Sequence, residues 1–252
     1  MRLEGKVTII TGAAGYIGMA YAVRFGQEGA RVVVCDVTDL TRTREAVEAT
    51  GAEVLALTVD VSSEEATKAM ARQTVERFGR IDCLVNNAAL FHGPGMDARL
   101  IEDVDLDAFD RALQVNIKGP FLCIRAVLPY MREQRGGKIV NIGSGTWLHT
   151  ARGIKSTPHY VASKAAVTGL TRALAKELGR SNIRINTLAP GSTPPEGREA
   201  ALRGPQFEEN ERALGRVGLP EDLTGALVFL CSEDSDFMTG QMMLVNGGME
   251  TW

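Results

Sequence analysis

Short runs of valine and isoleucine alternate with helix-spaced segments along nearly the whole 252-residue chain, and that alternation leaves few folds open. The spacing predicts strands over Val7–Thr11, Arg31–Asp36, Glu53–Val59, Asp82–Asn86, Lys138–Ile142, Arg184–Leu188 and Gln241–Val245. Between them it predicts helices over Ile17–Glu28, Arg42–Thr50, Ser63–Phe78, Asp107–Glu133, Pro158–Leu178 and Pro220–Cys231. Gly29, Gly51 and Gly79 stand where three of these helices should stop. Strands this continuously apolar, separated by helices, belong in a parallel sheet covered on both faces. The expected architecture is α/β: one domain over residues 1–252, with a doubly wound parallel sheet of about seven strands and helices on both faces. Two irregular stretches, Phe91–Asp105 and Pro190–Gly215, follow strand ends, where ligands bind in open α/β sheets.

The first strand runs into Thr11-Gly12-Ala13-Ala14-Gly15-Tyr16-Ile17-Gly18, and a helix opens there. Gly12 permits a tight turn, Gly15 lets the backbone approach a pyrophosphate, and Gly18 lets the helix pack close to the strand. Three glycines alone are a common pattern. Strand before and helix after make this one a Rossmann-type dinucleotide turn, with Gly12, Gly15, Tyr16, Ile17 and Gly18 as cofactor contacts. Asp36 ends the second strand 18 residues beyond Gly18, about where a carboxylate hydrogen-bonds the adenosine ribose. That carboxylate would repel a 2′-phosphate, so NAD is the expected cofactor.

Composition excludes other classes. A net charge of −3 lacks the basic footprint of a nucleic-acid binder. No apolar stretch has signal-peptide flanks or approaches the ~20 residues of a membrane span. Cys35, Cys83, Cys123 and Cys231 each sit in an apolar run with no C-x-x-C pairing, which reads as buried, reduced cysteines in a cytoplasmic protein. No metal site, nucleic-acid partner or membrane partner is expected.

Tyr160-Val161-Ala162-Ser163-Lys164 places a phenol and an ammonium on one face of a helix, four residues apart. The cation is expected to stabilise the phenolate and lower the phenol's pKa, so that Tyr160 serves as general acid or base. With this pair stand Asp60-Val61, Asn86-Asn87-Ala88-Ala89, Asn116, Ser144, Pro190-Gly191 and Val245-Asn246-Gly247-Gly248. Together with the glycine turn these motifs span the chain, which resembles the single-domain branch of the short-chain dehydrogenase/reductase family. The resemblance implies that Asp60 and Val61 hold the adenine, and that Asn87 and Ala88 line the cofactor groove. It implies that Ser144 donates to the substrate oxygen, Tyr160 exchanges the proton, and Lys164 binds the nicotinamide ribose and tunes Tyr160. Asn116 would hold a water linking Lys164 to solvent, while Tyr160, Lys164, Pro190, Gly191 and Thr193 would complete the cofactor site.

The sequence departs from the family pattern in three places. The branch usually has T-G-x-x-x-G-x-G, whereas here Gly15 precedes Tyr16, a spacing like that of the extended branch with its sugar epimerases. After Pro190-Gly191 the expected threonine comes early, as Thr193. The stretch Gly145–His159 carries His149, Arg152, Lys155 and His159 with no acid. It is a solvated loop or the source of a substrate-facing cation.

The expected activity is NAD(H)-dependent interconversion of a small secondary alcohol and its ketone. An NAD-using epimerase or dehydratase and a non-catalytic nucleotide-sensing protein are the alternatives. Phe91, Met96, Trp147 and Leu148 are candidates for an apolar substrate wall. Glu196 and Glu199, in the flap, could pair with the loop cations. Asp107–Glu133 and Pro158–Leu178 are long, and small residues such as Ala165 and Gly169 allow close helix approach; the resemblance implies that these helices pair between subunits and that the last strand forms another contact. A homotetramer is expected, with a dimer as the fallback and the terminal Trp252 near an interface.

Overall fold

The structure, a computed structural model, describes residues 1–148, 156–193 and 212–249. Its strands are β1 (Val7–Thr11), β2 (Arg31–Asp36), β3 (Val54–Thr58), β4 (Cys83–Asn86), β5 (Gly137–Ile142), β6 (Ile183–Pro190) and β7 (Met242–Val245). They form one parallel sheet in the order β3-β2-β1-β4-β5-β6-β7. The order reverses at the β1–β4 pair, which opens a crevice at the carboxyl ends of those strands. The helices are α1 (Tyr16–Gln27), α2 (Thr41–Glu48), α3 (Glu64–Phe78), α4 (Leu106–Leu113), α5 (Gly119–Glu133), α6 (Pro158–Gly179) and α7 (Pro220–Cys231).

Alternate residues of each inner strand feed two separate cores, as a pleated strand buried on both sides must. Ile10, Val32, Val34, Cys83, Val85, Val140 and Leu188 pack under α1 and α7, around Tyr21, Phe25 and Leu227. Ile9, Val33, Leu84, Ile139 and Ile185 pack on the opposite face against α3, α5 and α6, around Met70, Cys123, Val127 and Leu178. Local signals set the helix ends. The Ser63 hydroxyl caps α3 by accepting from the Ala66 amide at 3.2 Å, and Gly79 ends the helix at φ 79°. All four cysteines are buried and free.

The expected helix Asp107–Glu133 is interrupted. α4 and α5 are joined by a π-helical turn, Gln114–Lys118, that includes Asn116. Such turns mark places where a side chain is drawn out of the regular ladder, often at functional sites. Elsewhere the predicted and observed ends agree to within two residues. Among the described residues no helix is long and apolar enough to cross a membrane, and no group of side chains could hold a metal ion.

Candidate active site

The glycine turn lies at the open end of the β1–β4 crevice. Gly12 has φ 66°, and a Cβ there would meet the Ala88 Cα at 2.6 Å. A Cβ on Gly18 would run into the Gly12 carbonyl and lie 2.8 Å from the Ala13 Cα. Both positions must therefore be glycine. Gly15 differs: it is the extended N-cap of α1 (φ −69°, ψ 149°), and a Cβ would meet nothing closer than the Gly12 carbonyl at 3.6 Å. The unusual Gly15-Tyr16 spacing thus leaves the turn intact, and Tyr16 opens the helix. Burial pushes the Tyr16 phenol up to about 12.

Asp36 reaches the same turn. One carboxylate oxygen accepts from the Ala14 amide at 3.0 Å, and the other accepts from the Thr38 amide and hydroxyl at 3.1 and 3.0 Å. Asn87 clamps the turn from the β4 side, donating to the carbonyls of Thr11 and Gly12 at 3.0 and 2.9 Å. The Thr11 hydroxyl accepts from the amides of Asn87 and Ala88, both at 3.1 Å. Asn87 and Ala88 therefore also brace the crevice they were expected to line. Asp60 closes a local turn, accepting from the Ser62 amide at 2.9 Å, and Val61 packs against Gly119 at the start of α5.

The catalytic candidates meet one strand further on. Ser144 follows β5 and is buried; its hydroxyl accepts from the Thr146 amide at 3.3 Å and is near enough to the Tyr160 phenol to act on its pKa. Pro158 opens α6, so Tyr160 lies in its first turn and Lys164 one turn later. Lys164 is buried and donates to the Ile142 carbonyl at 2.7 Å. Its ammonium lies 5.7 Å from the centroid of the Tyr160 ring. The expected lowering of the phenol by this cation is reversed in the free chain: burial holds Tyr160 above its ordinary value, and the neighbouring Ser144 hydroxyl only partly offsets that. The same desolvation pulls Lys164 down to about 8.

Asn116 is buried in the π turn, and its amide ties two segments together. It accepts from the Leu90 amide at 2.6 Å and donates to the Leu90 carbonyl and the Ser163 hydroxyl at 3.1 and 3.0 Å. Ser163 in turn donates to the Tyr160 carbonyl at 2.8 Å. Sequence reasoning passed over Ser163 and Thr11. Ser163 stood between the phenol and the ammonium of the Tyr-Lys motif, and Thr11 stood first in the glycine motif. Behind the site a buried polar chain crosses the sheet: Asn86 donates to Asn141 at 2.8 Å, Asn141 to Thr171 at 2.9 Å, and Thr171 meets Thr187 at 2.8 Å.

Of the expected apolar wall, Phe91 stacks on Tyr160, with ring centroids 4.4 Å apart. Trp147 and Leu148 lie at and after the 3-10 turn that follows Ser144. Met96 is not part of the wall, because it is buried against Ala108, Ala112 and Leu90. His159 is not a surface cation: its ring is buried, neither nitrogen has a partner among the described residues, and desolvation lowers its pKa. His149, Arg152 and Lys155 lie outside the described residues, as do Glu196, Glu199 and Trp252. After β6, Pro190 and Gly191 stand beside the end of β7, where a Cβ on Gly191 would meet the Asn246 Cα at 2.8 Å. The Thr193 hydroxyl donates back to the Gly191 carbonyl at 3.1 Å. Gly191, Ser192, Thr193, Arg212 and Asn246 line a pocket of about 180 Å³.

This fold recurs in proteins of known family. A family model described as enoyl-(acyl carrier protein) reductase matches residues 12–250. The chain belongs to the short-chain dehydrogenase/reductase family. It is 40% identical, over 98% of both chains, to a (2S)-[(R)-hydroxy(phenyl)methyl]succinyl-CoA dehydrogenase subunit from Thauera aromatica. A short-chain type dehydrogenase/reductase from Mycobacterium marinum superposes with TM-score 0.91 at 32% identity, covering 99% of this chain and 97% of that one. A NAD⁺-bound xylitol dehydrogenase superposes with TM-score 0.89 at 30% identity, covering 98% and 100%. The chain is therefore an oxidoreductase of this family, whose members typically use a nicotinamide cofactor.

Proposed function

We propose that this oxidoreductase interconverts a secondary alcohol and its ketone with NAD(H), using Tyr160 as general acid/base. The convergence of the Tyr160 phenol with the Ser144 hydroxyl, which acts to lower it, and with the buried Lys164 ammonium 5.7 Å from its ring carries the reading. A non-catalytic nucleotide binder has no use for a serine and a lysine desolvated around a tyrosine.

The chain's residues fit a dinucleotide. Gly12 and Gly18 leave a turn with no side chain in the way, and Gly15 adds none. Asp36, anchored on the Ala14 amide, would accept from the ribose hydroxyls and repel a 2′-phosphate. This supports NAD over NADP. Asp60 and Val61 would flank the adenine, and Lys164 the nicotinamide ribose. When bound, the nicotinamide accepts or supplies the hydride.

Proton handling falls to the chain. In reduction, the substrate carbonyl oxygen takes a hydrogen bond from Ser144 and the proton of Tyr160. The raised phenol of the free chain is in its protonated form near neutral pH and is ready to donate. In oxidation the phenolate takes the hydroxyl proton, the carbinol hydrogen leaves as hydride, and the carbonyl forms. Before that transfer, the Lys164 ammonium and the Ser144 hydroxyl would stabilise the phenolate. Asn116 holds the turn of α6 that carries Tyr160 through Ser163.

Assembly belongs to the same proposal. Leu113, Ile117, Phe121 and Leu170 line an open apolar groove of about 350 Å³ on the outer side of the π turn, α5 and α6. A second copy would cover it, and another contact through the last strand would complete a homotetramer. The four buried free cysteines suit a cytoplasmic location.

Tyr160→Phe tests the mechanism. Turnover of secondary alcohols or ketones should fall at least ~10²-fold, the scale of general acid–base catalysis, with NADH affinity retained. Near-wild-type turnover in the variant refutes the proposal.

A further inference from the structure

We propose that Phe91 is a specificity-determining residue that makes the site prefer a flat apolar substituent, foremost an aryl group, on the substrate's carbinol carbon. The inference rests on the reading of Tyr160 as the proton-transferring group.

The Phe91 ring lies 4.4 Å from the Tyr160 ring at an interplanar angle of 50°, and 4.4 Å from the His92 ring at 62°. Even so, 42% of Phe91 stays exposed. A large apolar ring is thus held open to solvent directly against the reacting phenol. A substrate whose oxygen reaches Tyr160 and Ser144 brings the groups on its carbinol carbon beside this ring. Covering the ring with another apolar surface removes both surfaces from water. Aromatic partners gain more, because rings attract in tilted or offset arrangements like the one Phe91 and Tyr160 already adopt.

The position of Phe91 is fixed in advance. The residue before it, Leu90, is gripped through its amide and carbonyl by the Asn116 side chain at 2.6 and 3.1 Å. Through Ser163, the same side chain holds the helical turn bearing Tyr160, so one amide sets the two rings relative to each other. On the other side, Met96 is buried against Ala108 and Ala112. Gly95, at φ 77°, lets the chain turn there; a Cβ would meet the Ala108 Cβ at 2.7 Å. A wall anchored on both sides needs little reordering when a ligand arrives.

Ketone binding to the chain saturated with the oxidised cofactor tests this without turnover, since no hydride is available for reduction. Acetophenone and 3-methyl-2-butanone are titrated by calorimetry into wild type, Phe91→Ala and Phe91→Tyr. Wild type should bind the aryl ketone about tenfold tighter. Phe91→Ala should bring the two within about twofold, and Phe91→Tyr, which keeps the ring, should restore the preference. Equal binding or no binding by wild type overturns the proposal, as does a preference that survives Phe91→Ala. A Phe91-dependent preference in a chain whose Tyr160→Phe variant still turns over would leave the role of Phe91 standing and refute that of Tyr160.

Discussion

Replacing Lys164 by methionine separates what the ammonium costs the fold from what it does for the reaction. Burial takes this group from 10.5 to about 8. At ~1.4 kcal/mol per pKa unit, keeping it charged destabilises the folded chain by about 3 kcal/mol at pH values below 8. The sign follows from proton counts. Between the folded and unfolded values the unfolded chain binds more protons, so stability rises with pH. Integrated from pH 7 to 9.5, this one group should return about 2 kcal/mol. Methionine fills much of the same space and carries no charge. It leaves the Ile142 carbonyl without the 2.7 Å donor. That loss costs ~1–3 kcal/mol, so the variant at pH 7 should lie between equal to wild type and about 2 kcal/mol more stable. Urea denaturation at fixed protein concentration, run at pH 7, 8.5 and 9.5, gives the difference between the two chains. Titrating groups remote from position 164 cancel in that difference, including the raised phenols of Tyr16 and Tyr21, and the raised Tyr160 phenol stays protonated over this range. The variant's advantage should shrink and reverse as pH rises, while its turnover stays at least ~10²-fold down. A stability difference that does not change with pH would refute the desolvated ammonium.

Gly18→Ala drives a methyl into the Gly12 carbonyl and the Ala13 backbone; cofactor affinity and melting temperature should both fall, whereas Gly15→Ala should leave melting unchanged. Asp36→Ala removes the carboxylate beside the turn and should narrow the preference for NAD over NADP in kcat/KM; a higher wild-type value with NADP would contradict the cofactor assignment. Phe121→Asp places a charge in the open groove beside Ile117 and Leu170, and light scattering should show wild type as a tetramer and the variant as a smaller species. A wild-type monomer at micromolar concentration would refute the assembly.

The sheet was legible because each inner strand is apolar on both sides, and two cores demand that. The valines of β2 give its bounds to the residue, and Pro220 and Cys231 bound α7 as expected. β6 runs on to Pro190 only because Pro190 pairs with Val245 on β7, a partner that hydropathy does not reveal. The π turn was hidden for a similar reason. The periodicity of Asp107–Glu133 averages over one widened turn, and the Asn116 that turn carries accepts from the Leu90 amide, 26 positions away. At the site, the motif residues Ser144, Tyr160 and Lys164 do come together. The direction in which Tyr160 is shifted was not legible, because it depends on how deeply the phenol is buried. Spacing in the chain places a cation near the phenol; only packing decides whether its field outweighs desolvation.

Hydride transfer is the central claim, and isotope transfer tests it most directly. A secondary alcohol such as 1-phenylethanol, deuterated at the carbinol carbon, is incubated with the protein and NAD⁺, and the reduced cofactor is weighed by mass spectrometry. The account predicts one deuteron per cofactor, delivered to a single face of the ring by wild type and suppressed at least ~10²-fold in Tyr160→Phe. Reduced cofactor without deuterium, or full transfer by the Tyr160→Phe variant, would contradict it.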